Sequence, residues 1–231
     1  MISHKHKCIF IHIAKCAGTS IENAFGVDTS VKSLPNYEQL YGWDSNNQLW
    51  LQHARPQELI DLKLITKQQW DTYYKFIVYR NSWDKAISDY FWMKKTHEIE
   101  DIFFNYLNKK GRFNKILNEK GEGYSGDHLY LQKDYFFLDN KRINYNLEID
   151  FDNLSIGFNT LQKHLNLDSS FFEKKLNSNK NKNRHYSFYY TNEYRDLVYS
   201  IFNEDIDFFN FDFINRKSLF MKIFNLKYDE K

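Results

Sequence analysis

The sequence predicts an α/β protein with a single domain, residues 1–231, built on a central parallel β-sheet flanked by helices. Two strand–loop–helix segments carry this prediction. In the N-terminal segment a strand at residues 8–13 precedes a helix at 19–26, and in the later segment a strand at 75–79 precedes a helix at 83–95. Parallel strands need a crossover, which such helices supply. The 231 residues, 42% of them hydrophobic, suffice for one full core.

The N-terminal strand–loop–helix segment begins with a run of β-forming residues that ends in a short loop at residues 14–18. Thr19 and Glu22 have the spacing of a capping box, with Thr19 at the N-cap and Glu22 three residues later. The helix is therefore predicted to begin at Thr19 and to run to about Gly26.

The other elements follow from apolar periodicity and from glycine-rich or polar breaks. The loops are expected at the glycines of 121–126 and in the Lys/Asn/Arg-rich stretch 174–185. The remaining predictions are helices from Pro56, at 67–73, 99–120, 153–165 and 194–202, and a late strand at 144–151.

The charge balance argues against a protein that mainly coats nucleic acid. The chain has 32 basic and 30 acidic residues, for a net charge of +2, so any anion site must be local. No apolar run approaches the ~20 residues that cross a bilayer, and the basic N-terminus is not followed by a signal-peptide core. Cys8 and Cys16 flank one strand, which favours reduced thiols and a cytoplasmic protein without membrane insertion.

The loop after the first strand has the composition of an anion site. Lys15, Gly18 and the hydroxyls of Thr19 and Ser20 accompany backbone N–H groups at a helix start. A nucleotide-triphosphate P-loop places its lysine after the glycines, whereas here Lys15 precedes the glycine. The alternative is an ordinary βα turn with a solvated lysine.

A second anion site is indicated at the end of the second strand. Arg80 follows that strand and Ser88 lies two turns into the next helix. Ligands of parallel sheets collect at the carboxyl ends of the strands, and arginine binds phosphate in a bidentate manner. The alternative is a structural ion pair of Arg80 with Asp84 or Asp89.

Together these two segments resemble the PAPS-dependent sulfotransferase family, in particular its carbohydrate branch. Residues 10–20, FIHIAKCAGTS, are similar to the family's 5′-phosphosulfate loop, a Pro-Lys-Thr-(Ala/Gly)-(Gly/Ser)-Thr-Ser type of string. Residues 78–90, VYRNSWDKAISDY, are similar to its 3′-phosphate segment, V-x-R-N-P-x-D-R-x-x-S-x-Y. The sequence departs from these patterns at Ala14, Cys16 and Ser82, and Ser82 is expected to retain a helix-capping role.

The resemblance implies a P-loop-like sulfotransferase fold that transfers a sulfuryl group from 3′-phosphoadenosine 5′-phosphosulfate (PAPS) to a hydroxyl of a glycan, leaving adenosine 3′,5′-bisphosphate (PAP). Lys15 would neutralise the leaving phosphate, and Arg80 with Ser88 would hold the 3′-phosphate. No metal is implied, and the sequence has no Cys/His cluster with metal-ligand spacing. The residues expected at the 5′-phosphosulfate are Lys15, Cys16, Ala17, Gly18, Thr19 and Ser20.

The general base expected from the resemblance is His53, which lies just before the helix that starts at Pro56. His128, beside the glycine loop, and Glu58 are the other candidates, and a packing role for His53 is the plain alternative. His12, on the first strand, is expected in the core.

Residues 180–186 are expected to form a lid over the nucleotide. In this hypothesis Arg184 or Lys182 reaches the 3′-phosphate and Tyr186 stacks on adenine, whereas the alternative is a solvated basic loop.

Other functions compete with sulfuryl transfer. A kinase-like phosphoryl transferase requires a Walker-type lysine, a non-catalytic domain would bind PAP or a glycan without turnover, and a nucleic-acid binder would use the basic loop. The sequence leaves the acceptor and the oligomeric state open, since Trp43, Trp50 and Trp92 suit either sugar stacking or the core.

Overall fold

The computed structural model describes residues 1–30, 34–172 and 184–228. Short 3₁₀ turns join many of its elements. The strands are β1 Ile2–Ser3, β2 Cys8–Ile11, β3 Trp43–Asp44, β4 Leu49–Trp50, β5 Tyr74–Tyr79, β6 Phe137–Leu138, β7 Lys141–Arg142 and β8 Leu147–Asp150. The helices are α1 Gly18–Ala24, α2 Pro56–Asp61, α3 Lys67–Thr72, α4 Ser82–Thr96, α5 Phe103–Leu107, α6 Asn114–Asn118, α7 Leu154–His164, α8 Asn192–Phe209 and α9 Leu219–Ile223.

The chain forms two compact units, each assembled from three separate stretches. The first unit contains Met1–Tyr79, Lys120–Gly123 and the described part of Gln132–Lys180; the second contains Arg80–Glu119, Tyr124–Leu131 and the described part of Asn181–Lys231. A single domain stays a prediction, because a division into compact units does not decide whether each folds by itself.

The first unit contains the sheet, with strand order β1-β2-β5-β8. The pairs β2–β5 and β5–β8 are parallel, with Ile11 beside Ile77 and Tyr79 beside Asp150. The prediction of an α/β chain with a parallel sheet between helices is thereby confirmed in its main part. The sheet is mixed, since β1 pairs with β2 in the antiparallel direction.

Helices pack closely on this sheet. A side chain at Gly157 of α7 would lie 2.4 Å from the Ile149 side chain of β8, so the helix backbone approaches the strand directly. Phe25, at the end of α1, lies against Phe76 of β5 with ring centroids 6.2 Å apart. The central strands are buried on both faces, as expected for parallel strands.

The second unit is helical and has an aromatic core. Tyr90 of α4 contacts Phe103 and Tyr106, and its hydroxyl donates to the Asp101 carbonyl at 2.7 Å. Tyr190 donates to the backbone carbonyl of Trp83 at 2.8 Å. These buried hydroxyls have partners, so the core accepts tyrosine without leaving donors unsatisfied.

The prediction of one amphipathic helix at 99–120 is wrong. The chain forms α5, a 3₁₀ turn and α6, because Lys109 and Gly111 have positive φ of 52° and 57°. Helices cannot pass through such left-handed residues. The carboxylate of Asp101 holds the break by accepting from Asn105 and from the Arg112 backbone.

The other predicted helices and strands match the observed elements to within a few residues, including α3, β8 and α7. Most of the loop predicted at 174–185 lies outside the described residues. The helix predicted to end at Phe202 continues as α8 to Phe209, but Phe202 itself has non-helical angles. Cys8 and Cys16 are both buried, and neither forms a disulfide bond. Among the described residues, none of the helices is both long and apolar enough to cross a membrane.

Candidate functional site

The loop between β2 and α1 has an unusual backbone. Lys15 and Ala17 have positive φ of 66° and 61°, in the left-handed region that non-glycine residues avoid at a cost of ~1 kcal/mol each. Two such residues, separated only by Cys16, bend the chain sharply between the strand and the helix. Such loops can turn successive N–H groups toward one point, which suits an anion.

The backbone donors of this loop divide into two groups. Cys16 N–H donates to the Ile13 carbonyl at 3.2 Å, and Ser20 N–H to the Ala17 carbonyl at 3.1 Å. Within the described part of the chain, no hydrogen bond is found from the N–H groups of Ala17, Gly18 and Thr19. Three consecutive donors beside Lys15 therefore form the candidate anion site of the first unit.

The predicted capping box is wrong. Ala17 is the N-cap of α1 and has no side-chain oxygen to cap it, and Glu22 does not reach back to the helix start. The Glu22 carboxylate instead accepts from Nδ1 of His12 at 2.8 Å, with both side chains buried. A carboxylate buried at 1% exposure requires such a partner, and the strand supplies it.

His12 is buried as predicted, and it also supports the loop. Its ring stacks on Phe10, and a β-carbon at Gly18 would lie only 1.7 Å from its Nε2. Gly18 itself has no positive φ, so this position requires glycine because the imidazole occupies the space of a side chain. Strand, loop and helix are thus locked together by His12, Gly18 and Glu22.

His53 is held beside the same histidine. Its Nδ1 lies 3.2 Å from the backbone carbonyl of His12, and the two rings are 4.4 Å apart. Because a carbonyl only accepts, Nδ1 must carry the proton, and the neutral ring has its lone pair at Nε2. The Tyr135 hydroxyl fixes the backbone by donating to the His53 carbonyl at 3.0 Å. This is the tautomer that a base acting through Nε2 requires.

Cys16 faces the interior. Its thiol is completely buried and lies 3.6 Å from the Ala14 carbonyl and 3.8 Å from Oε1 of Gln132. The Cys16 side chain therefore packs on the buried side of the loop. Thr19 is exposed and Ser20 half-buried, so both hydroxyls lie nearer to solvent.

Arg80 belongs to the second unit and forms the ion pair that was the alternative interpretation. Its Nε donates to the Asp84 carboxylate at 2.7 Å, one turn into α4. This contact uses one of the five N–H donors of the guanidinium and fixes its plane. The helix is capped by Asn81, whose side chain accepts from the Trp83 N–H at 3.1 Å, so the capping role expected of Ser82 is corrected to its neighbour.

Ser88 lies on α4, half-buried, two turns after Arg80. The next residue, Asp89, is fully buried and holds His128: its Oδ1 lies 2.6 Å from Nδ1 of His128, and its Oδ2 accepts from the Tyr106 hydroxyl at 2.8 Å. Trp92 stacks on the His128 ring at 4.7 Å. The second base candidate therefore also has Nδ1 directed at a fixed acceptor.

The third base candidate, Glu58, serves a helix start. Its carboxylate accepts from the Arg55 backbone at 2.7 Å and from the Arg55 guanidinium at 2.9 Å. These contacts cap α2 and account for the acidic residue at this position.

The lid hypothesis is corrected for Tyr186. This residue is buried in the core of the second unit, where its ring contacts Tyr190 and Phe213 and its hydroxyl accepts from the Ile214 N–H at 2.8 Å. An aromatic ring packed this way is not available to stack on adenine. Arg184 is exposed and lies over the ring of Tyr228 at 3.6 Å. Lys180 and Lys182 lie outside the described residues.

The tryptophans considered for sugar stacking lie in packed positions. Trp43 and Trp50 contact each other across the β3–β4 hairpin with centroids 5.3 Å apart, and Trp43 is buried. Trp92 stacks on His128. These contacts explain the rings as packing residues.

Sequence reasoning missed two supporting carboxylates, Glu22 and Asp89. Both are acidic residues on the inward faces of helices, and each is bonded to a histidine distant in sequence. The available signal was an acidic residue at an apolar helix position, but the sequence alone does not name the partner.

The first unit contains Lys15, Cys16, Ala17, Gly18, Thr19, Ser20 and His53, and of these Gly18 and His53 lie against His12. Arg80, Ser88, His128, Arg184 and Tyr186 belong to the second unit. Comparison with known proteins found no matching family model, no matching curated protein and no matching solved structure.

Proposed function

We propose that this protein is a PAPS-dependent sulfotransferase with a P-loop-like fold, acting on a hydroxyl of a glycan acceptor. The observation that carries the proposal is the loop after β2, where Lys15 accompanies three consecutive N–H donors that have no acceptor within the described chain. Such an arrangement suits a terminal phosphate or sulfate group.

The 3′-phosphate of the donor would be bound by Arg80 and Ser88. Tyr79 ends β5 at the edge of the sheet where Ile11 ends β2, since the two strands are parallel, and Arg80 is the next residue in the chain. Its ion pair with Asp84 is compatible with this role, because a guanidinium with a fixed plane binds phosphate without first losing side-chain entropy.

The proposed reaction is an in-line displacement at sulfur. The acceptor oxygen forms a bond to sulfur while the bond from sulfur to the phosphate oxygen of PAPS breaks, and PAP leaves with the electron pair. Lys15 and the loop N–H groups neutralise the charge that grows on the leaving oxygen. Nε2 of His53 accepts the proton of the acceptor hydroxyl, which its Nδ1 tautomer allows.

Thermal stabilisation by PAP tests this proposal directly. A ligand that binds only the folded state at 100 times its Kd stabilises it by about 2.7 kcal/mol, which for a chain of this size raises Tm by roughly 5–11 °C. ATP with Mg²⁺ and 5′-AMP serve as comparison ligands. Stabilisation by ATP with Mg²⁺ and not by PAP would replace the proposal with a kinase-like phosphoryl transferase.

Two variants sharpen the test. Thr19→Ala removes an exposed hydroxyl from the loop and should weaken PAP without lowering the Tm of the free protein. Thr72→Ala, which changes an exposed threonine of α3, is the matched control. PAP binding with no sulfuryl transfer to any glycan would instead identify a non-catalytic binding domain.

A further inference from the structure

The last described segment of the second unit exposes a cluster of large apolar side chains. Six of the 13 strongly exposed large apolar side chains in the described chain lie within residues 214–226. Four of them are more than 60% exposed, as expected for side chains that protrude. The apolar C-terminal face consists of Ile214, Leu219, Phe220, Ile223, Phe224 and Leu226.

This segment is firmly attached, because two of its polar side chains, Lys217 and Asn225, bond to other parts of the unit. Lys217 is only 7% exposed, and its Nζ donates to the Tyr190 carbonyl and, at 2.6 Å, to the Leu226 carbonyl. The Asn225 side chain accepts from the Asn192 N–H at 2.7 Å and donates to the Glu193 carboxylate at 3.0 Å. A lysine inside and phenylalanines outside is the reverse of the usual arrangement of a segment surrounded only by water.

The charged side chains of the segment itself have one sign. Residues 213–228 contain four basic residues and no acidic residue, and of these Arg216 and Lys222 are exposed. Acidic residues resume in the sequence only at Asp212 and Asp229. Apolar side chains on a segment whose own charges are all positive are complementary to a surface that is both apolar and negatively charged.

Shape and charge favour a lipid surface over a protein partner. A second copy related by two-fold symmetry would place Arg216 and Lys222 of both copies in one interface, which is electrostatically unfavourable. Protruding side chains would need a matching groove in a protein partner, whereas the interfacial region of a bilayer adapts to them. Exposed apolar clusters of this kind commonly mark interaction sites.

We propose that the apolar C-terminal face binds the surface of an anionic lipid bilayer. Phe220 and Phe224, whose rings are 4.8 Å apart, enter the interfacial region with Leu219 and Ile223. Arg216 and Lys222 lie at the level of the lipid phosphates. This binding is independent of sulfuryl transfer and places the whole chain next to a membrane.

Flotation of the full chain with lipid vesicles tests the proposal. We expect binding to phosphatidylcholine vesicles that contain about 30 mol % phosphatidylserine to be at least ~10-fold tighter than to pure phosphatidylcholine, and to weaken with salt. Replacing both phenylalanines, Phe220→Ser with Phe224→Ser, should lower the partition coefficient ~10-fold or more. Lys222→Gln should lower it by a factor of about 5.

The matched control is Ile156→Ser, which changes a residue with 64% exposure in the first unit and should leave vesicle binding unchanged. The replaced side chains are exposed, so Tm should stay at the wild-type value in every variant. Equal binding to both vesicle types, no binding to either, or equal loss in the Ile156 control would overturn the proposal. A dimer that disappears in the double phenylalanine variant would assign the face to a second copy and would also overturn it.

Discussion

Replacing Gly18 with alanine tests whether His12 determines the shape of the anion loop. The new β-carbon would lie 1.7 Å from Nε2 and 2.1 Å from two ring carbons of His12, far inside van der Waals contact. The imidazole cannot move away easily, because Phe10 stacks on it, His53 lies 4.4 Å away and Glu22 accepts from its Nδ1. Relief of the clash therefore requires the buried hydrogen bond between His12 and Glu22 to break or the loop to shift.

The cost follows from those contacts. Leaving a buried carboxylate without its partner costs about 3–5 kcal/mol, and alanine returns ~1 kcal/mol because it favours the helix more than glycine does. The net loss of unfolding free energy is roughly 2–4 kcal/mol, which for a chain of 231 residues lowers Tm by about 4–16 °C. Overpacking alone, without loss of the pair, would cost about 1–3 kcal/mol.

Thermal unfolding followed by circular dichroism measures this loss. Gly123→Ala is the matched control, since a β-carbon there meets nothing within 4 Å and its φ is not positive. The double variant His12→Ala with Gly18→Ala should be no less stable than His12→Ala alone, because the clash is then absent. A Tm for Gly18→Ala within ~1 °C of the Gly123→Ala value would refute the proposed packing of imidazole against glycine.

Three further outcomes are expected. Lys15→Gln should weaken PAP binding by ~10-fold or more, because a charged donor is lost, while the Tm of the free protein stays constant. Titration calorimetry measures the affinity, and an unchanged affinity would show that Lys15 does not belong to the site. His53→Gln should lower kcat by about 10²–10⁴ with PAP affinity retained, and a kcat near that of the wild type would shift the base to another group. Burial raises the pKa of Cys8 to about 12, so at pH 9 only ~0.1% of its thiol is ionised and iodoacetamide should label it only in urea. Since the unfolded thiol ionises near pH 9 and the folded one does not, Cys8 lowers stability as pH rises above 9, and equally fast labelling of the folded protein would contradict this.

The two central strands of the sheet were predictable because short apolar runs with β-branched and aromatic residues are typical of buried strands. The runs at 8–13 and 75–79 became β2 and β5, each followed by a helix. Lys15 was predictable as a loop residue for the same reason. The helix start was not, because Glu22 has the spacing of a capping residue but bonds to a histidine on another element.

The outcomes at Arg80 and Tyr186 depended on contacts that spacing does not specify. Asp84 lies one turn after Arg80, so an ion pair was foreseeable, but the choice between Asp84 and Asp89 was settled by Asp89 facing inward to His128. Tyr186 follows a basic, polar stretch that resembles a loop, yet its ring is held by Tyr190 and Phe213 from later in the chain. Tertiary contacts of this kind decide burial where local composition does not.

The path of the chain through the two compact units limits how the protein can be divided. Each unit is assembled from three stretches, and within the described residues the backbone passes between them near residues 79, 119, 123 and 131. No single cleavage point yields a fragment that consists of one unit alone, and a truncation after Tyr79 would leave β5 without its neighbour β8. Fragments for crystallisation or reporter fusions should therefore be designed by joining the distant stretches of one unit with new linkers. A single proteolytic cut at a point where the backbone crosses between the units need not separate them.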